Sequence, residues 1–133
     1  MKKFFGIFGI EESSALTSSP KMKRIEMFQL PVGMRLLPDE QIELAFEYSE
    51  KKHNKYVIFT NKRLISNAHI LLNRTTYEIL VYQHITRYTF DVKSHKISLG
   101  VVDDTGIDIS REFKFSENDL LEVEYVLAKN ICR

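Results

Sequence analysis

This sequence has a single cysteine, Cys132, so no intramolecular disulfide can form and nothing in its cysteine use calls for an oxidising compartment. Proline and glycine are scarce, with 3 and 5 copies in 133 residues, which excludes collagen-like and low-complexity chains. An excess of one charge is missing too: 19 Lys and Arg face 18 Asp and Glu, a net of +1. A nucleic-acid-binding chain ordinarily carries a basic excess or a basic face, so no nucleic-acid partner is expected. No apolar run approaches the roughly 20 residues of a membrane-spanning helix. The run Phe4 to Ile10 follows Lys2 and Lys3 in the manner of a secretory signal, but Glu11-Glu12 end it and no small-residue cleavage site lies close behind. It is read as retained and the chain as cytoplasmic, which leaves the glycosylation sequon Asn73-Arg74-Thr75 idle.

The usual catalytic signatures are also absent. There is no Gly-rich phosphate loop and no nucleophile elbow. The four histidines, His53, His69, His84 and His95, include no pair at the two-to-five-residue spacing of a metal site. No catalytic residue, metal or cofactor is therefore expected.

What the sequence does contain is a change of period. The length suits one domain, and 44% hydrophobic with 28% charged residues is ordinary globular composition. Residues 11–21 are polar and Ser-rich, a linker. Met22, Ile25 and Phe28 lie near helical spacing, which predicts a short helix ended by Pro31. From Gln41 the period becomes two: Ile42, Leu44, Phe46 and Tyr48 share one face, Glu43, Ala45 and Glu47 the other. Further strands are predicted at 56–60, 63–70, 76–82, 85–93 (Tyr88, Phe90 and Val92 on one face), 96–102 and 107–115. Turns fall at His53-Asn54, Asn73-Arg74, Ser94-His95 and Asp103 to Gly106. Seven short strands in succession predict an antiparallel meander bent into a barrel or two packed sheets. The last segment returns to helical period. Ser116 and Asp119 suit an N-cap, and Leu120, Val123, Leu127 and Ile131 form a stripe that Leu121 and Val126 widen. Such a helix must cover something, and the open end of the sheets is the available target.

The wording of two stretches goes further. LLPDEQIELAFEYS followed by YVIFTNKRLI resembles the opening of the bacterial pleckstrin-homology domains. The match falls on Leu36, Leu37, Pro38, Glu40 and Ile42, then on Phe59, Thr60, Lys62, Arg63, Leu64 and Ile65. Tyr82-Gln83-His84-Ile85-Thr86 looks like the family's lead into strand five, and MKKFFGIFGI like the apolar N-terminus of several members. The resemblance covers about residues 34–132 and implies a mainly β (α+β) pleckstrin-homology-like fold of seven antiparallel strands and a C-terminal capping helix; the short N-terminal helical segment expected from spacing lies ahead of it, where Met22 to Met34 match nothing in the family. The expected division is an N-terminal segment, 1–35, and a domain, 36–133. The resemblance also implies a single-domain, non-catalytic protein that assembles into a cyclic homo-oligomer, a dome-shaped ring with a surface suited to binding another protein.

Several residues are candidates for contact. Phe4, Phe5, Ile7, Phe8 and Ile10 are too apolar to stay exposed on a monomer, and are expected at the oligomer interface. Lys62 and Arg63 sit at a tight connection, as a solvated turn whose Arg braces a carboxylate or as a partner contact; Asn61 there would tolerate positive φ. Lys51, Lys52, His53 and Lys55 occupy the loop through which eukaryotic relatives often bind phosphoinositides, but the flanking strands carry Glu43 and Glu47 rather than basic residues. Asp104-Thr105-Gly106 has the wording of an aspartic protease, yet too little chain follows it, and a hairpin turn explains it. The expected function is a non-catalytic, self-assembling, protein-binding scaffold. The alternative is a peripheral membrane module using Lys2, Lys3, the N-terminal apolar run and the Lys51 to Lys55 loop.

Overall fold

The computed structural model describes residues 22–50, 53–68, 76–102 and 104–132. Strands β1 (Lys23–Ile25), β2 (Ile42–Glu50), β3 (His53–Thr60), β4 (Arg63–Ser66) and β5 (Glu78–Val81) form one antiparallel sheet in sequential order. A 3-10 turn, Tyr82–His84, carries the chain to a second antiparallel sheet of β6 (Ile85–Asp91), β7 (Lys96–Val102) and β8 (Asp108–Lys114). Helix α1 (Glu117–Ile131) follows. The described residues are thus mainly β, in two sheets with one C-terminal helix.

The first correction is at β1. The helix expected before Pro31 is not formed; Lys23–Ile25 pairs with Glu47, Phe46 and Ala45 of β2, making an eighth strand among the described residues. Met22 turns into the core and its N–H donates to Lys114 O at 3.3 Å, so this short strap touches both sheets. Met22, Ile25 and Phe28 mimic a helical spacing, but the long-range pairing satisfies the backbone instead.

Between the sheets lies the main core. Phe46 meets Phe115 with ring centroids 4.8 Å apart and Phe59 edge-on at 6.2 Å. Ile97, Leu99, Val101 and Phe113 contribute from the second sheet; Leu120, Val123 and Leu127 of α1 close it. A second apolar cluster lies on the other face of the first sheet, where Ala45, Ile58 and Ile65 are covered by Met27, Leu30 and Met34. This accounts for the run Val57-Ile58-Phe59-Thr60: β3 is buried on both faces, so alternation disappears there.

Three faces differ from expectation. A bulge between Ile42 and Leu44 turns Ile42 into the second cluster while Leu44, Phe46 and Tyr48 stay with the first. Only Tyr88 of its trio packs on the core; Phe90 and Val92 are exposed, Val92 lying beyond the end of β6. Leu121 stands out in solvent instead of widening the α1 stripe. The helix start is as expected: the Ser116 Oγ accepts from Asp119 N–H at 3.3 Å and donates to its carboxylate at 2.9 Å.

Candidate functional site

The connection between β3 and β4 is built around a buried carboxylate. A turn from Leu37 to Glu40, in which Asp39 takes φ 63°, delivers the Glu40 side chain inward, where it is fully buried. Arg63 reaches it with a two-pronged contact, Nε to Oε2 at 2.9 Å and Nη2 to Oε1 at 3.1 Å. Leu37 N–H donates to Oε1 at 2.7 Å and the Thr60 hydroxyl to Oε2 at 2.6 Å. Burial by itself raises the Glu40 pKa, but hydrogen bonds from Arg63, Leu37 and Thr60, with the Arg63 charge, outweigh it and hold the carboxyl below its ordinary range. Asn61 completes the junction through its side chain: Oδ1 accepts from Gln41 N–H at 2.7 Å and Nδ2 donates to Asp39 O at 3.0 Å. The positive φ expected of Asn61 falls on Asp39 instead. Tyr82 donates to Thr60 O at 2.6 Å, and burial, with the charges of Glu43 and Glu40, pushes its hydroxyl pKa far upward. Glu40, Thr60 and Arg63, three of the residues that carried the sequence resemblance, are therefore occupied with one another.

The basic candidates separate. Lys62 is exposed at the turn, while Arg63 is committed to Glu40. Lys51 and Lys52 lie outside the described residues, as do Phe4, Phe5, Ile7, Phe8 and Ile10. His53 begins β3 opposite Glu50 and is half-buried. Lys55 is not in the loop: it is the third residue of β3, opposite Tyr48, and only 4% exposed. The reason is that β2 and β3 pair up to Glu50 and His53, leaving only residues 51 and 52 between them. His53 and Lys62 belong to opposite ends of β3, an eight-residue strand about 26 Å long. They do not form one patch.

The surfaces that do stand open are apolar. Between Pro31 and Met34 the chain makes a turn closed by Met34 N–H to Pro31 O at 3.0 Å, with Gly33 at φ +93°. Val32 is fully exposed at its tip, and Phe28, on the same segment, is 83% exposed. A second surface is the groove between α1 and the β1–β2 edge, lined by Arg24, Leu44, Leu121, Tyr125, Val126 and Lys129. Leu121 and Tyr125, one helical turn apart, are 59% and 65% exposed. Ion pairs border the groove: Arg24 with Glu122, and Lys129 Nζ with Glu43 at 2.8 Å. Asn130 Nδ2 adds a bond to Glu43 at 2.9 Å. The α1 sequence held a signal for this groove, because Leu121 and Tyr125 lie off the core-facing stripe.

Other candidates resolve simply. Asp104 and Thr105 are exposed in the β7–β8 connection, where Gly106 takes φ +85°. Among the described residues no three His, Cys, Asp or Glu side chains gather as a metal site. No helix among them is long and apolar enough to cross a membrane.

Comparison with known proteins bears on the fold. The chain is similar to the solved structure of a DUF1696 family protein with a pleckstrin-homology domain from Shewanella loihica, with a TM-score of 0.55. The match covers 72% of this chain and 83% of that one at 19% identity. The fold is therefore pleckstrin-homology-like, of the kind found in that bacterial protein. No protein-family model and no curated protein matches the chain.

Proposed function

We propose that this protein is a non-catalytic pleckstrin-homology-like domain that assembles into a cyclic homo-oligomer and acts as a scaffold for another protein. The observation that carries this reading is the pair of separate apolar surfaces, Phe28 with Val32 and Leu121 with Tyr125. Each contact in a ring is heterologous, so one patch must meet a different patch on the neighbour. Repetition of a weak binding surface around such a ring raises avidity for a multivalent partner without any new contact. The Glu40–Arg63 junction fits a structural rather than catalytic role, since its polar groups are engaged with one another.

Light scattering on the full chain tests it. A mass of several subunits is expected, falling to smaller species in the Phe28→Ser/Val32→Ser variant. A monomer at every concentration would overturn the assembly.

A second reading, a peripheral membrane module, draws on Val32 exposed at a turn tip three residues before Arg35. It would use Lys2, Lys3 and the N-terminal apolar run together with Lys51 and Lys52. Flotation with anionic liposomes at low and high salt separates the two: salt-sensitive binding belongs to the membrane module, and none to the scaffold.

A further inference from the structure

We infer that the groove between α1 and the β1–β2 edge is the receiving site for this protein's own Phe4 to Ile10 segment. This deepens the assembly reading by naming the surface that the N-terminal run meets. Three observations converge on it. The groove presents Leu121 and Tyr125 as an exposed apolar shelf over buried Leu44 and Val126, a shape that takes a short run of large apolar side chains. Phe4, Phe5, Ile7, Phe8 and Ile10 are such a run, and leaving large apolar side chains in water is unfavourable.

The second observation is where the described chain begins. Met22 leads directly into β1, and Arg24 of β1 is itself part of the groove wall. Twelve residue steps separate Ile10 from Met22, which allows a reach of up to about 40 Å. The tether can therefore deliver the run to this groove or to that of an adjoining copy.

Charge is the third. Around the shelf Arg24 is paired with Glu122 and Lys129 with Glu43, while Glu117, one helical turn before Leu121, is exposed and supplies a negative charge at the shelf's end. Lys2 and Lys3 immediately precede the phenylalanines and supply the opposite sign.

Disulfide trapping in the full chain tests the inference. With Cys132→Ser as background, Phe8→Cys is combined with Leu121→Cys, or with Ile107→Cys as a control on the exposed β7–β8 connection. Occupancy of the groove predicts at least about tenfold faster cross-linking to position 121 than to 107, because docking raises the local concentration. The mass of the product reports whether the segment comes from the same copy or its neighbour. Leu121→Glu/Tyr125→Glu, with both positions on the solvent side of α1, should abolish trapping between Phe8→Cys and Lys129→Cys, an exposed position of the groove wall, while leaving the far-ultraviolet circular dichroism unchanged. Equal cross-linking to 121 and 107 would overturn the inference. The two proposals fail separately. An oligomer that persists in the Leu121→Glu/Tyr125→Glu variant without preferential trapping sinks the groove assignment alone. A monomer with strong intrachain trapping sinks the ring and keeps the groove.

Discussion

Glu40 has every one of its principal contacts inside the protein: Arg63, Thr60 and the Leu37 N–H. Removing it by Glu40→Ala would leave the Arg63 guanidinium, itself only 15% exposed, without its carboxylate. The expected loss is about 3–5 kcal/mol by urea unfolding. Its depressed pKa gives a direction in pH. The stabilisation is fully present above the ordinary value of 4.5 and is lost as pH falls through the lower folded value. Thermal unfolding across that acid range should therefore show a steeper decline for the native chain than for Glu40→Gln. Gly100 is the opposite kind of residue. A Cβ there would come within 2.9 Å of the Arg87 guanidinium, which lies across it toward Asp108 at 3.4 Å. Arg87 is flexible and largely exposed, so it can swing away. Gly100→Ala should change stability by no more than about 0.5 kcal/mol, whereas the same clash against backbone would not be forgiven.

At the scale of elements, α1 was legible because its cap, its charges and its apolar stripe are local. Ser116→Ala removes the cap and should cost about 1 kcal/mol in a denaturation series. The strands were legible too, since period two and turn residues are also local signals. β1 was not. Three residues cannot declare a strand by pattern, and its partner Ala45–Glu47 lies some twenty residues away. The face of Ile42 was hidden for a related reason: a bulge is set by the partner strand rather than by its own sequence. The junction site was half legible. An arginine bracing a carboxylate was foreseeable at Arg63, but choosing Glu40 required the fold, and the burial of Lys55 required the register of β2 and β3. Met22 gives β1 its anchor in the core. Met22→Ala should destabilise by about 2–3 kcal/mol, toward the low end for a core truncation because an edge position can partly collapse.

Across the whole molecule, the two sheets are joined by more than their shared apolar core. Arg111 of β8 grips Glu78 of β5 through Nε at 2.8 Å and Nη2 at 2.7 Å, and this bond raises the Arg111 pKa. Tyr88 of β6 donates to Glu124 of α1 at 3.1 Å, with burial first and this carboxylate second pushing its hydroxyl to about 12. These ties hold sheet to sheet and sheet to helix. If assembly accompanies folding, the melting temperature should rise with protein concentration, whereas a monomer would melt at a fixed temperature.

The strap at Met22 to Ile25 has a mechanical meaning. Any load carried between copies through the N-terminal arm enters the body of each subunit at β1. That strand pairs over only three residues, from Lys23 to Ile25, plus the bond from Met22 to Lys114 and the ion pair of Arg24 with Glu122. Behind it, β2 and β3 pair over eight positions. Under tension the strap would peel first, lengthening the arm while the two sheets and their helix stay closed. An assembly built on such arms would stretch before it broke.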